Sequence, residues 1–135
     1  MHVRLIPELG GDGSMHGVIC MNDTGSDVMT LFDTDLGYLG NLDEYRGWNP
    51  PINVCFANGE RARHQSLSVQ VQMVRNDGTP WTGWMSEDVV LTSLTPGKTR
   101  LSGAGIRAHL YIATAPGNRT LSVSTTVGGL TSILQ

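Results

Sequence analysis

The stretch Gly17-Val18-Ile19-Cys20-Met21-Asn22-Asp23-Thr24-Gly25-Ser26-Asp27-Val28-Met29-Thr30-Leu31-Phe32 is the most informative in the chain. An apolar-biased segment runs up to an acid, three small residues follow, and a second apolar segment begins. An acid closing a strand before Thr-Gly-Ser is either a hairpin turn or one half of a site built from two carboxylates. The tetrapeptide Asp23-Thr24-Gly25-Ser26 occurs once. The second reading therefore requires a second copy of the molecule.

Two carboxylates close enough to share a proton titrate as one unit, because like-charge repulsion raises one pKa. One then acts as acid while the other activates water. Two Asp23 side chains facing each other across a twofold axis satisfy this requirement. In that setting Thr24 anchors the loop through its hydroxyl. Gly25 allows close backbone approach or a turn that a Cβ would oppose, and Ser26 donates to the outer carboxylate oxygen. Asp27 is the nearest competing acid, and the residues alone do not choose between it and Asp23.

Outward from this stretch the chain reads as short strands broken by Gly, Asn, Asp and Pro. Val3 to Pro7 suits a peripheral strand, Gly10-Gly11-Asp12-Gly13 a turn, and Met15 to Met21 the next strand. Thr30 to Gly40 supports no more than a short helical turn. Arg46 to Pro51 is irregular. Ile52-Asn53-Val54-Cys55-Phe56 alternates as a strand, and Asn58-Gly59 then favours a tight hairpin. Leu67 to Val74 alternates most cleanly, with Leu67, Val69, Val71 and Met73 on one face. Asn76-Asp77-Gly78 turns the chain, and Trp81 to Leu91 returns. Thr95-Pro96-Gly97-Lys98 turns it again. Arg107 to Thr114 reads as a short helix and an extended segment, and Thr120 to Ser124 as a terminal strand. The pattern predicts a mostly antiparallel, all-β architecture.

Over roughly Met15 to Val123 the chain resembles the retropepsin-like aspartic proteases, single-domain acid proteases that work as homodimers. Asp23-Thr24-Gly25-Ser26 resembles their active-site loop, with Asp23 as catalytic acid. Phe56, Ala57, Asn58 and Gly59 resemble the tip of the flap that covers bound peptide. Leu101-Ser102-Gly103, followed by Ala104-Gly105-Ile106-Arg107, resembles the segment that packs behind the loop. Asn22 and Ser102 depart from the pattern, since the family places apolar side chains there. The resemblance implies an all-β closed barrel with one short helix, assembled as a twofold homodimer. It also implies an endopeptidase that hydrolyses extended peptide or protein substrates, such as a polyprotein or precursor. The alternative is a noncatalytic dimeric peptide-binding or scaffold module on the same fold. Leu121 to Val123 and Leu130 to Leu134 are the candidate interface strands.

Composition narrows the remaining classes. The 135 residues suit one domain, 1–135, with 1–14 and 126–135 as peripheral or interface segments. Net charge is −3, charged residues make up 16% and aromatics 6%, with no basic run, so a nucleic-acid surface is disfavoured. The start lacks a secretory signal pattern and no apolar stretch reaches membrane-span length. This favours a soluble chain, cytoplasmic or released from a larger polyprotein. His2, His16, His64 and His109 are singletons, without metal-ligand spacing, and no cofactor is called for. Cys20 and Cys55 read as buried free thiols or as one reactive or disulfide pair. Trp48, Trp81 and Trp84 read as packing residues and Glu87 and Asp88 as surface acids. Arg107 reads either as a partner across the dimer or as a solvated side chain.

Overall fold

The computed structural model describes the whole chain except residues 56–58, 60, 115, 116, 118–120, 134 and 135. Its centre is β6 (Arg61–Gln72), which contains the cleanest alternation in the sequence. Leu67, Val69 and Val71 are each 0% exposed. Burying each of them contributes about 1.5–3 kcal/mol. On one edge of β6 lies β7 (Met85–Thr92), antiparallel. The other edge is divided between β5 (Trp48–Cys55), which pairs with the first half, and β1 (His2–Leu5), which pairs with the second. The β5 register slips between Asn49 and Ile52, where Pro50 and Pro51 cannot donate to the ladder. The pairing ends at Cys55 opposite Arg61, and Gly59 takes φ +83°.

The sheet is extended by β2 (Met15–Gly17) beside β1 and by β4 (Met29–Phe32) beside β7. The resulting order is β2-β1-β6-β7-β4 with β5 on β6. Pairing of β4 with β7 is parallel. All four residues of β4 are buried, which is why Met29-Thr30-Leu31-Phe32 shows no period-two pattern. Two small sheets lie outside. One is the parallel pair β3 (Cys20–Met21) and β8 (Arg100–Leu101), the other the antiparallel pair β9 (Tyr111–Thr114) and β10 (Leu121–Ser124). Helix α1 spans Ala104–His109 and α2 spans Val127–Ile133. Pro7–Leu9 and Asp33–Tyr38 are 3-10 turns.

This corrects the expected all-β closed barrel. A barrel needs its end strands bonded to each other, and the terminal strands of this sheet, β2 and β4, are not neighbours. The fold is mixed α/β with open sheets. Most strand pairs are antiparallel, as expected, but β3–β8 and β4–β7 are parallel, and two α-helices stand in place of one short helix. The predicted strand from Met15 to Met21 divides in two, because Val18 turns inward to the core while Ile19 stays 86% exposed.

Candidate functional site

The Asp23 loop leaves the end of β3 and is held by the segment that follows β8. Leu101 stands beside Met21 in the parallel pair, and the Ser102 N–H donates to the Met21 carbonyl at 2.9 Å. The Ser102 hydroxyl accepts the Asp23 N–H at 3.2 Å. Ala104 N–H donates to the Asp27 carbonyl at 3.1 Å. Arg107, on α1, donates one guanidinium N–H to the Asp23 carbonyl at 2.7 Å and another to the Ser26 carbonyl. The sequence left Arg107 open; in the structure it clamps both ends of the turn.

Within the loop the Asp23 carboxylate faces its own backbone. Oδ1 accepts the Gly25 N–H at 2.9 Å, a local turn of the kind Asp makes readily. Ser26 donates to the Val28 carbonyl at 2.6 Å rather than to a carboxylate. Thr24 and Gly25 are exposed. A Cβ on Gly25 would sit 3.4 Å from Asp23 Oδ1, an ordinary contact. Of the proposed flap, Phe56, Ala57 and Asn58 lie outside the described residues, and Gly59 is exposed.

Two buried acids carry the polar framework around the loop. Glu87 reads as a surface acid in sequence but is 5% exposed on β7. Its two oxygens accept the Gly105 and Ile106 N–H groups at 3.1 and 2.9 Å, fixing the start of α1. Burial pushes its pKa up, against the lowering effect of those two hydrogen bonds. Asp35, 2% exposed, receives a two-pronged bond from Arg100 at 2.7 and 2.6 Å. It also accepts the Phe32 N–H at 2.9 Å and lies 3.3 Å from His16 Nε2. Burial alone would raise the Asp35 pKa. The Arg100 bonds, the Phe32 N–H and the neighbouring charges outweigh it and hold the carboxyl below its ordinary value.

Glu87 also explains two glycines. A Cβ on Gly103 would meet the Met29 backbone nitrogen and Glu87 Oε1, both at 2.5 Å, and one on Gly105 would meet Glu87 Oε2 at 2.6 Å. Backbone cannot yield as a side-chain tip can. Gly103→Ala is therefore expected to cost about 2–3 kcal/mol in urea denaturation, with Gly105→Ala costing less.

Clefts lie on both sides of this framework. One, of about 450 Å³, opens between Asp27, Glu87, Asp88 and the turn at Ile6 and Leu9. The other, of about 200 Å³, lies between β3, α1 and the β9–β10 hairpin, and Asn22 lines it. Cys20 is also on its wall, and burial pushes its thiol up to about 11. Cys20 and Cys55 are not joined in a disulfide; Cys20 is half-buried and Cys55 exposed.

Comparison of the chain with protein-family models, with curated proteins and with solved structures finds no match in any of the three. The open, mixed α/β sheets correct the resemblance to retropepsin-like proteases and the closed all-β acid-protease fold it implied. The aspartic endopeptidase reading is corrected with it. Among the described residues there is no Asp–Asp dyad, and the buried acid Asp35 pairs with Arg100 and His16 rather than a second aspartate. The noncatalytic module on that same fold falls with the fold. No group of three or more His, Cys, Asp or Glu among the described residues is placed to hold a metal ion. No described helix is long and apolar enough to cross a membrane.

Proposed function

We propose that this chain is a protein-interaction module that pairs with a second copy of itself through the face carrying Ile19, Met21 and the β9–β10 hairpin. The observation that carries the reading is the exposure of large apolar side chains there. Ile19 is 86% exposed, Met21 52% and Leu121 46%. Ile19 and Leu121 border one cleft, so the surface is continuous between β3 and the hairpin. Contiguous apolar surface of this kind marks protein contact sites.

The lack of charge on this face permits a second copy as the occupant, against the net charge of the whole chain. The chain carries −3, so two copies repel at long range. Residues 13–22 and 121–131 contain no Asp, Glu, Lys or Arg. Two such faces meet without like charges opposed. The β9–β10 pair is a separate two-stranded sheet, which leaves strand edge available for pairing. The reading assigns binding to the chain and no hydrolysis.

Sedimentation equilibrium tests it. The expected result is twice the chain mass at about 50 µM, a concentration that saturates an interface worth roughly 8 kcal/mol. Met21→Glu places a charge on the face and is expected to weaken pairing at least tenfold with circular dichroism unchanged. A monomeric unaltered chain at that concentration, or a Met21→Glu variant that pairs as before, overturns the reading.

A further inference from the structure

β5 pairs with β6 alone, so its other edge carries no strand among the described residues. Pro50 and Pro51 blunt the start of that edge, since neither has an N–H to offer. From Ile52 to Cys55 there is no proline and no charge. Alternate residues of this stretch turn their N–H and C=O groups outward. The register sorts the side chains into two faces. Asn53 stands opposite Arg63 and Cys55 opposite Arg61, and all four are exposed. Ile52 and Val54, both half-buried, stand opposite His64 and Ala62 on the reverse face. The ion pairs among the described residues all engage Asp35, so no acid there matches Arg61 or Arg63. Asp33 borders a cleft with Arg63, but no ion pair joins them. Charge is also segregated along the chain. Tyr45 to Asn76 holds four arginines and one acid, Glu60, a balance of +3 in a chain of −3.

From this juxtaposition we infer that the edge Ile52–Cys55 takes up an extended acidic segment of another protein as an added strand. Its carboxylates lie on the face of Arg61 and Arg63, and its apolar side chains on the face of Ile52 and Val54. Backbone bonds to the edge supply affinity, and the alternating side chains supply selection. The reach is right. Neighbouring strands lie about 4.8 Å apart, so the added strand runs roughly 10 Å from β6. An arginine and a glutamate cover that span between them. Asn53 and Cys55, the residues they cross, are short. A second copy does not supply this segment, because β7 is the one described strand with acids and its Glu87 and Asp88 are adjacent rather than alternate. The inference goes beyond self-pairing and does not depend on it, because none of its residues belongs to the face of Ile19 and Met21.

The probe is a short fluorescein-labelled peptide of alternating Glu and Val, titrated with the full chain and followed by fluorescence polarisation. It is expected to saturate, and a counterpart of alternating Lys and Val is expected not to bind. Reversing both charges, Arg61→Glu with Arg63→Glu, is expected to weaken binding about tenfold. Two further peptides test the edge itself, one N-methylated on its valines and one on its glutamates. An added strand turns alternate N–H groups to its host, so one of the two is expected to bind about tenfold more weakly and the other as before. Met21→Glu is expected to keep the affinity even where pairing is lost, so this site and the paired face fail separately. Absence of saturable binding overturns the inference. So does an affinity unchanged by the double reversal, or one equal for the two methylated peptides. Both arginines are exposed, and the peptide comparisons in the unaltered chain stand without the variant.

Discussion

Asp35→Ala is expected to destabilise the fold by about 3–5 kcal/mol, the range found when one partner of a buried ion pair is removed. Asp35 is 2% exposed and takes bonds from Arg100 and from the Phe32 N–H. Its loss strands the Arg100 guanidinium above the Phe32 ring, 4.5 Å from the centroid, and leaves a backbone N–H unpaired. Arg100 also belongs to β8, so the strand that braces the Asp23 loop is loosened. Urea denaturation of the variant measures the effect. A loss under about 1 kcal/mol, the range of surface pairs, would show that Arg100 finds another partner. The same pair sets an acid limit. The Asp35 pKa is depressed below its ordinary 3.8 in the folded state. Its stabilisation is therefore present above 3.8 and lost as pH falls through the depressed value.

Glu87→Ala is expected to cost about 2–4 kcal/mol, from two unpaired backbone N–H groups and a cavity at the base of α1. The consequence reaches the loop. Glu87 fixes the start of α1, and α1 carries the Arg107 that binds the Asp23 and Ser26 carbonyls. Amide exchange should accelerate at Gly105, Ile106, Leu110 and across Asp23 to Ser26, while β6 keeps its relative protection. Loss of α1 protection with an unchanged loop would break the proposed relay. The pH sign is opposite to that of Asp35. With its folded pKa raised above 4.5, Glu87 contributes stability fully present below 4.5 and lost as pH rises through the folded value. Glu87→Gln should flatten that decline, while one of its two N–H partners faces an amide NH2 instead of an acceptor.

Local patterns were legible where a residue's own chemistry determines its backbone. The alternation Leu67, Val69, Val71 marks the buried face of β6. Asp77-Gly78 and Pro96-Gly97 mark turns, and Gly78 and Gly97 take φ near +82°. The second helix was missed although a signal existed. Thr126 caps it, its hydroxyl accepting the Gly129 N–H at 3.1 Å, but Gly128 and Gly129 weaken the helical pattern that would have drawn attention to it.

The Asp-Thr-Gly reading failed for a physical reason. A short acidic turn and half of a two-carboxylate site share the same residues; what differs is the group opposite the carboxylate. Here the Asp23 carboxylate accepts the Gly25 N–H. The sequence by itself determined the strand faces and the turns, because side-chain alternation and positive φ are local properties. Tertiary structure alone decided that Glu87, Asp35 and Arg107 are structural. Their partners lie 19, 65 and 84 residues away along the chain, and whether a charge is buried and paired depends on those distant groups. The open sheet was decided the same way, since closure depends on whether the ends of β2 and β4 meet, and no residue in either strand encodes that alone.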